Sequence, residues 1–113
     1  MNKELANEAI VKYGTPTYVF DLDEMENRVK KFRKLSDRTG LCFAMKANPF
    51  LAAAMAKVTD RIEVCSMGEY RICKELNLRP EKILISGVQK NRENIFEILD
   101  HYRGRCFYTV ESL

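Results

Sequence analysis

The sequence predicts an α/β fold, about four parallel strands alternating with helices in the manner of the N-terminal half of a (β/α)8, TIM-like barrel. Three observations predict it. Four short runs, "LCFAM", "RIEVCS", "KILIS" and "CFYTV", are apolar nearly throughout, as parallel strands covered on both faces are. They begin near Leu41, Ile62, Lys82 and Cys106, separated by roughly the length of one βα unit, with a helical pattern after each of the first three. No Gly-rich phosphate loop, neither G-x-G-x-x-G nor a Walker loop, follows the first strand, which argues against a doubly wound sheet. Instead Lys46 stands at the C-terminal end of that strand, where a barrel places its chemistry.

The elements follow in order. "NKELANEAIVKY" carries helical spacing at Leu5 and Ala9, and Gly14 and Pro16 end it. "TYVF", Thr17 to Phe20, is rich in β-forming residues and is predicted as a strand. Asp21 caps a helix whose apolar positions, Leu22, Met25, Val29, Phe32 and Leu35, form one stripe, and Gly40 closes that unit. After "LCFAM", Asn48 and Pro49 read as the N-cap and first position of the helix "FLAAAMAKV". After "RIEVCS", "MGEYRICKEL" is a helix ending near Asn77. After "KILIS", "NRENIFEILDHY" places Ile95, Ile98, Leu99 and Tyr102 on one side, and Gly104 stops it before the last strand. Residues 1–21 are therefore expected to be a helix and strand leading into the barrel, and residues 22–113 a partial barrel.

Composition narrows the function classes. The chain has 113 residues, 46% hydrophobic and 31% charged, which bounds it to one domain or part of one, and to a soluble, cytoplasmic type. The net charge of +3 is mild, and the basic residues are spread out except in "VKKFRK". That run falls on the outer face of a predicted helix, so nucleic acid is not an expected partner. No apolar run has the length of a membrane span, and "MNKELANEAI" lacks the apolar core of a signal peptide. Cys42, Cys65, Cys73 and Cys106 show no CxxC spacing and are expected to be buried free thiols rather than metal ligands. His101 sits among polar neighbours without a second imidazole and is given neither a metal nor a catalytic role.

Length sets a further expectation. A complete barrel takes about 250 residues, and half of one leaves two unpaired edge strands and an uncovered inner face. The chain is therefore expected to be the N-terminal part of something larger, lacking a C-terminal portion, or to be completed by self-association.

Lys46 is the residue whose chemistry stands out. A lysine at a barrel mouth forms a Schiff base with a carbonyl compound once some of its amine is neutral, and an apolar surround promotes the neutral form. The carbonyl partner is then pyridoxal phosphate (PLP) or a sugar phosphate. The alternative is a lysine that only reaches from a strand end to solvent.

"GTPTYVFDLDEMENRV", followed by "FAMKANP", resembles the opening of the PLP-dependent decarboxylases of the alanine-racemase-like fold, the diaminopimelate and ornithine decarboxylase family. The family typically begins T-P-x-Y-V-Y/F-D, then Y/F-A-x-K-A-N. "RIEVCSMGEY" is similar to its D-V-x-S-x-G-E strand, "EKILISGVQKN" to its third strand and polar turn, and "FYTVESL" to its fourth, V-D-S-x. The resemblance runs in order from Gly14 onward. It implies that Lys46 carries PLP as a Schiff base displaced by an incoming amino acid, with Glu63, in the place of a common aspartate, near the Schiff-base nitrogen. It implies that Ser66 and Gly68 form a tight turn beside the cofactor, where Met67 departs from the frequent S-G-G-E, while Glu69 opens the next helix. Ser86 or Lys90, in "SGVQKN", would lie on the same rim.

The implied activity is decarboxylation of a diamino or basic amino acid, diaminopimelate first, in lysine biosynthesis. The family's phosphate-gripping loop, pyridine-binding glutamate and C-terminal cysteine and tyrosine have no counterparts in this sequence, so this chain alone is expected to be inactive. Two alternatives stand beside that reading. One is a PLP-binding single barrel without decarboxylase activity, against which "TPTYVFD" argues. The other is a truncated, self-associating fragment with no chemistry.

Overall fold

The structure, a computed structural model, describes residues 3–35, 38–87 and 90–111. It divides into two compact units, Met1–Asp37 and Arg38–Leu113.

The first unit holds helices α1 (Lys3–Tyr13) and α2 (Leu22–Leu35). Gly14 ends α1 with φ +78°, and its N–H donates to the Ile10 carbonyl at 2.8 Å, a left-handed exit that suits glycine. Asp21 caps α2 as predicted: its Oδ1 accepts from the Glu24 N–H at 3.0 Å. That bond holds the Asp21 carboxyl below its usual range. Of the predicted apolar stripe, Val29 is buried, whereas Leu22, Phe32 and Leu35 are exposed.

The predicted strand Thr17–Phe20 is not formed. Tyr18 is 92% exposed. Branched and aromatic side chains favour extended backbone, but a strand exists only within a ladder. Among the described residues no strand pairs with this segment.

The second unit is the half-barrel pattern. Strands β1 (Cys42–Ala44), β2 (Arg61–Val64), β3 (Ile83–Ile85) and β4 (Phe107–Tyr108) form one parallel sheet in chain order. Helices α3 (Ala52–Val58), α4 (Met67–Glu75) and α5 (Arg92–Tyr102) connect them. The register pairs Ala44 with Glu63, Glu63 with Leu84, and Leu84 with Phe107. Since side chains alternate across a strand, these four share one face with Cys42 and Arg61. Ile62, Val64, Ile83 and Ile85 point the other way and are buried with Ala52, Tyr70, Cys73, Ile98 and Tyr102. The core thus lies between the sheet and its three helices, with Tyr70 and Tyr102 meeting edge to face at 6.0 Å.

The helix ends follow the sequence closely. Asn48 Oδ1 accepts from the Phe50 N–H at 3.1 Å, although a 3-10 turn, Pro49–Leu51, precedes α3 proper. Ser66 and Asn91 cap α4 and α5 through the Glu69 and Asn94 N–H groups. Arg103 and Gly104, both at positive φ, close α5. The cysteines divide. Cys73 and Cys106 are buried, and burial pushes their thiols up to about 12 and about 11. Cys65 is half-buried. Cys42 is exposed, against expectation, because β1 is an edge strand and Cys42 lies on the face opposite α3, α4 and α5. Among the described residues, no helix is long and apolar enough to cross a membrane.

Candidate functional site

The C-terminal ends of the four strands form one rim. At its β1 corner the chain turns through a short 3-10 helix, Met45–Ala47. Met45 is fully buried, and its carbonyl accepts the Asn48 N–H at 3.0 Å. Asn48 in turn caps the next turn. The backbone at Lys46 is therefore held on both sides, while its side chain is exposed. The sequence achieves this by following the turn with a cap residue and proline, which end it and start the next helical turn.

Glu63 lies on the neighbouring strand, in register with Ala44, two residues before Lys46. It is half-buried on the face opposite α3, α4 and α5. Its partner is Ser86, just beyond β3: Ser86 Oγ donates to Glu63 Oε1 at 2.6 Å. Cys65 Sγ stands 3.5 Å from the same Ser86 Oγ. Both contacts join residues far apart in sequence, and only the register of β2 on β3 brings them together.

Ser66 is half-buried at the start of α4, where its Oγ accepts the Glu69 N–H at 3.3 Å. Glu69 reaches back, and its Oε2 accepts the Cys65 N–H at 2.7 Å. The two side chains thus satisfy open backbone donors at the helix start. Ser66 keeps its own hydroxyl proton for a further acceptor.

Lys90, a rim candidate from sequence, is engaged at β4. Its Nζ donates to the Thr109 carbonyl, to Thr109 Oγ1 at 2.8 Å and to Glu111 Oε2 at 2.6 Å. The Lys90 hydrogen bond holds the Glu111 carboxyl below its usual range, with Thr109 adding to the effect. Val88 and Gln89 of the polar turn, and Ser112 and Leu113 of "FYTVESL", lie outside the described residues.

The rim thus offers an exposed primary amine, a carboxylate one strand away anchored by a serine, and a serine hydroxyl at a helix start. The sequence singled out Lys46, Glu63 and Ser66 separately. It missed the Ser86–Glu63 pair, for which adjacency in sequence gives no signal.

Comparison with known proteins bears on the same segment. The family model described as "Pyridoxal-dependent decarboxylase, pyridoxal binding domain" matches residues 22–112. A diaminopimelate decarboxylase of Zymomonas mobilis is 34% identical over 113 residues, covering 94% of this chain and 26% of that protein. Diaminopimelate decarboxylases of Aquifex aeolicus and Haemophilus influenzae are 30% and 34% identical, over 87% and 90% of this chain and 23% and 25% of theirs. The chain therefore spans about a quarter of the length of the curated relatives it matches. No solved structure matches it. The cofactor that this kind of domain implies is pyridoxal phosphate. The chain belongs to the pyridoxal-binding-domain family of the pyridoxal-dependent decarboxylases.

Proposed function

We propose that this chain is the Lys46-bearing, N-terminal part of a cytoplasmic amino-acid decarboxylase acting on a diamino or basic amino acid, diaminopimelate first, in lysine biosynthesis. The observation that carries the proposal is Lys46 itself: an exposed lysine on a hydrogen-bonded turn at the C-terminal end of β1. The diaminopimelate decarboxylases among its relatives support the substrate class.

The donor set suits pyridoxal phosphate. A primary amine is the group that holds its aldehyde, and Lys46 is sterically open to it. When bound, the cofactor supplies an electron sink for the pair left on the α-carbon as carbon dioxide departs. The chain's own residues would do the rest of the work at this rim. Lys46 would hold the cofactor's aldehyde through Nζ, which serves as a nucleophile only after giving up a proton. Glu63, with Oε1 engaged by Ser86, would keep Oε2 as a proton acceptor on the strand beside Lys46. Ser66 turns its hydroxyl proton toward an anionic group at the start of α4, where the helix dipole favours negative charge. The remaining strands and the groups that select substrate would come from further chain or from another copy.

Addition of pyridoxal phosphate to the pure chain is expected to raise a visible absorbance band that Lys46→Ala abolishes. A wild-type chain without that band, or a variant that keeps it, contradicts the proposal. Carbon dioxide release by this chain alone is not expected.

A further inference from the structure

We infer that Ser86 is the positioning residue of Glu63, fixing where a carboxylate stands on the strand beside Lys46. The consequence for cofactor binding rests on the function proposed above, whereas the geometry stands on the strand ends alone.

Ser86 is itself tightly placed. Its N–H donates to the Val64 carbonyl at 2.9 Å, which carries the ladder one step past β3 and fixes the residue against β2. Only 8% of Ser86 is exposed. The next residue keeps the two strand ends close: Gly87 has φ +82°, and a Cβ there would meet Cys65 Cβ at 3.2 Å. A side chain at Gly87 would force the Ser86 segment away from β2, and glycine alone permits both the contact and the conformation.

The proton inventory then sets the direction of the bonds. A serine hydroxyl has one proton, and an ionised carboxylate only accepts. At 2.6 Å the Ser86 proton belongs to Glu63 Oε1, the length of a charge-assisted O–H···O bond. Cys65, 3.5 Å from Ser86 Oγ, is then the donor to it. A glutamate on a half-open face would otherwise turn about its side-chain bonds and spread over several positions. The hydrogen bond from a buried, backbone-anchored hydroxyl selects one of them. Loss of the hydroxyl frees the carboxylate with little loss of packing, because it removes a single oxygen atom.

The test uses the full chain with Ser86→Ala, Ser86→Thr, Glu63→Ala and the Ser86→Ala/Glu63→Ala pair, each titrated with pyridoxal phosphate across pH and checked for an unchanged thermal midpoint. Ser86→Ala is expected to weaken binding by about threefold to tenfold, part of the effect of a hydrogen bond to a charged group, and to shift the pH profile of the visible band. Ser86→Thr, which keeps a hydroxyl, is expected to restore both. In the Glu63→Ala background, Ser86→Ala is expected to add nothing, since a residue acting through Glu63 has no effect once Glu63 is gone. Wild-type behaviour of Ser86→Ala, or an equal further loss in that background, overturns the role.

A wild-type chain that forms no band fails the proposed function by itself. Ser86 is then judged in the unliganded protein, where its hydroxyl proton is expected as a slowly exchanging NMR resonance that Glu63→Ala removes. Absence of that resonance from the wild type overturns the role. The same measurement decides if Ser86→Ala does not fold.

Discussion

The two faces of the four-stranded sheet are made by the same strands and differ completely. Under the helices, Ile62 and Ile83 are 0% exposed, Val64 is 2% and Ile85 is 4%. One residue along each strand, on the other face, Cys42 is exposed, Arg61, Glu63 and Leu84 are half-buried, and Phe107 is 43% exposed. The first face is uniformly apolar and holds the unit together. The second mixes charge with apolar surface: the Arg61 guanidinium lies over the Phe107 ring at 3.8 Å, and Glu63 is paired with Ser86. The difference teaches that shape and chemistry are separated in this unit by the two-residue period of a strand. It also makes the open face tolerant where the helix face is not.

The largest expected effect tests that separation directly. Ile62→Ala, on the helix face, is expected to cost about 2–5 kcal/mol by leaving a cavity in close-packed surroundings. Leu84→Ala, on the open face, is expected to cost about 1 kcal/mol, because its site is half-solvated already. Urea unfolding of both variants compares the faces, and equal losses would break the distinction.

A second test uses pH. Burial, the leading cause, raises Cys73, Tyr102 and Tyr108 to about 12 and Cys106 to about 11. These groups hold their protons more tightly folded than unfolded. Their contribution is therefore complete below the unfolded values, 9.0 for the thiols and 10.0 for the phenols, and is lost as pH rises through the folded ones. Denaturant midpoints are expected to fall steadily on the alkaline side of pH 9.0, and a flat profile there would contradict the burial of these groups.

The Lys90–Glu111 pair offers a smaller effect at the rim. The Glu111 carboxyl is held below its ordinary value of 4.5, so its contribution is present above that value and lost as pH falls through the lowered one. Lys90→Met is expected to speed amide exchange at Thr109, whose N–H donates to the Ile85 carbonyl at 3.0 Å, with little change in overall stability. Smallest of all are exposed positions on α1 and α2. Val11→Ser and Leu35→Ser, at sites 87% and 80% exposed, are expected to stay within about 0.5 kcal/mol of wild type. A larger loss would mean that these side chains are covered in solution.

How much the sequence discloses depends on the range of the interaction. The sheet strands are legible within a residue or two because each is a short apolar run, and Asp21 and Asn48 are legible as helix caps because capping is local. "TYVF" misleads for the opposite reason: its composition favours a strand, yet strand formation depends on a distant partner. Cys42 misleads because an apolar run says nothing of which face is covered. Within the site, Lys46 is legible from its place after an apolar strand. The pairing of Glu63 with Ser86, and of Lys90 with Thr109 and Glu111, depends on register across strands and appears only once the sheet is assembled.

The central claim is that the open rim at β1 presents Lys46 to a carbonyl cofactor. Borohydride reduction of the chain with stoichiometric pyridoxal phosphate, followed by digestion and peptide mass spectrometry, tests it most directly. The account predicts a reduced pyridoxyl adduct on the peptide containing Lys46. An adduct on other lysines with Lys46 unmodified would contradict it.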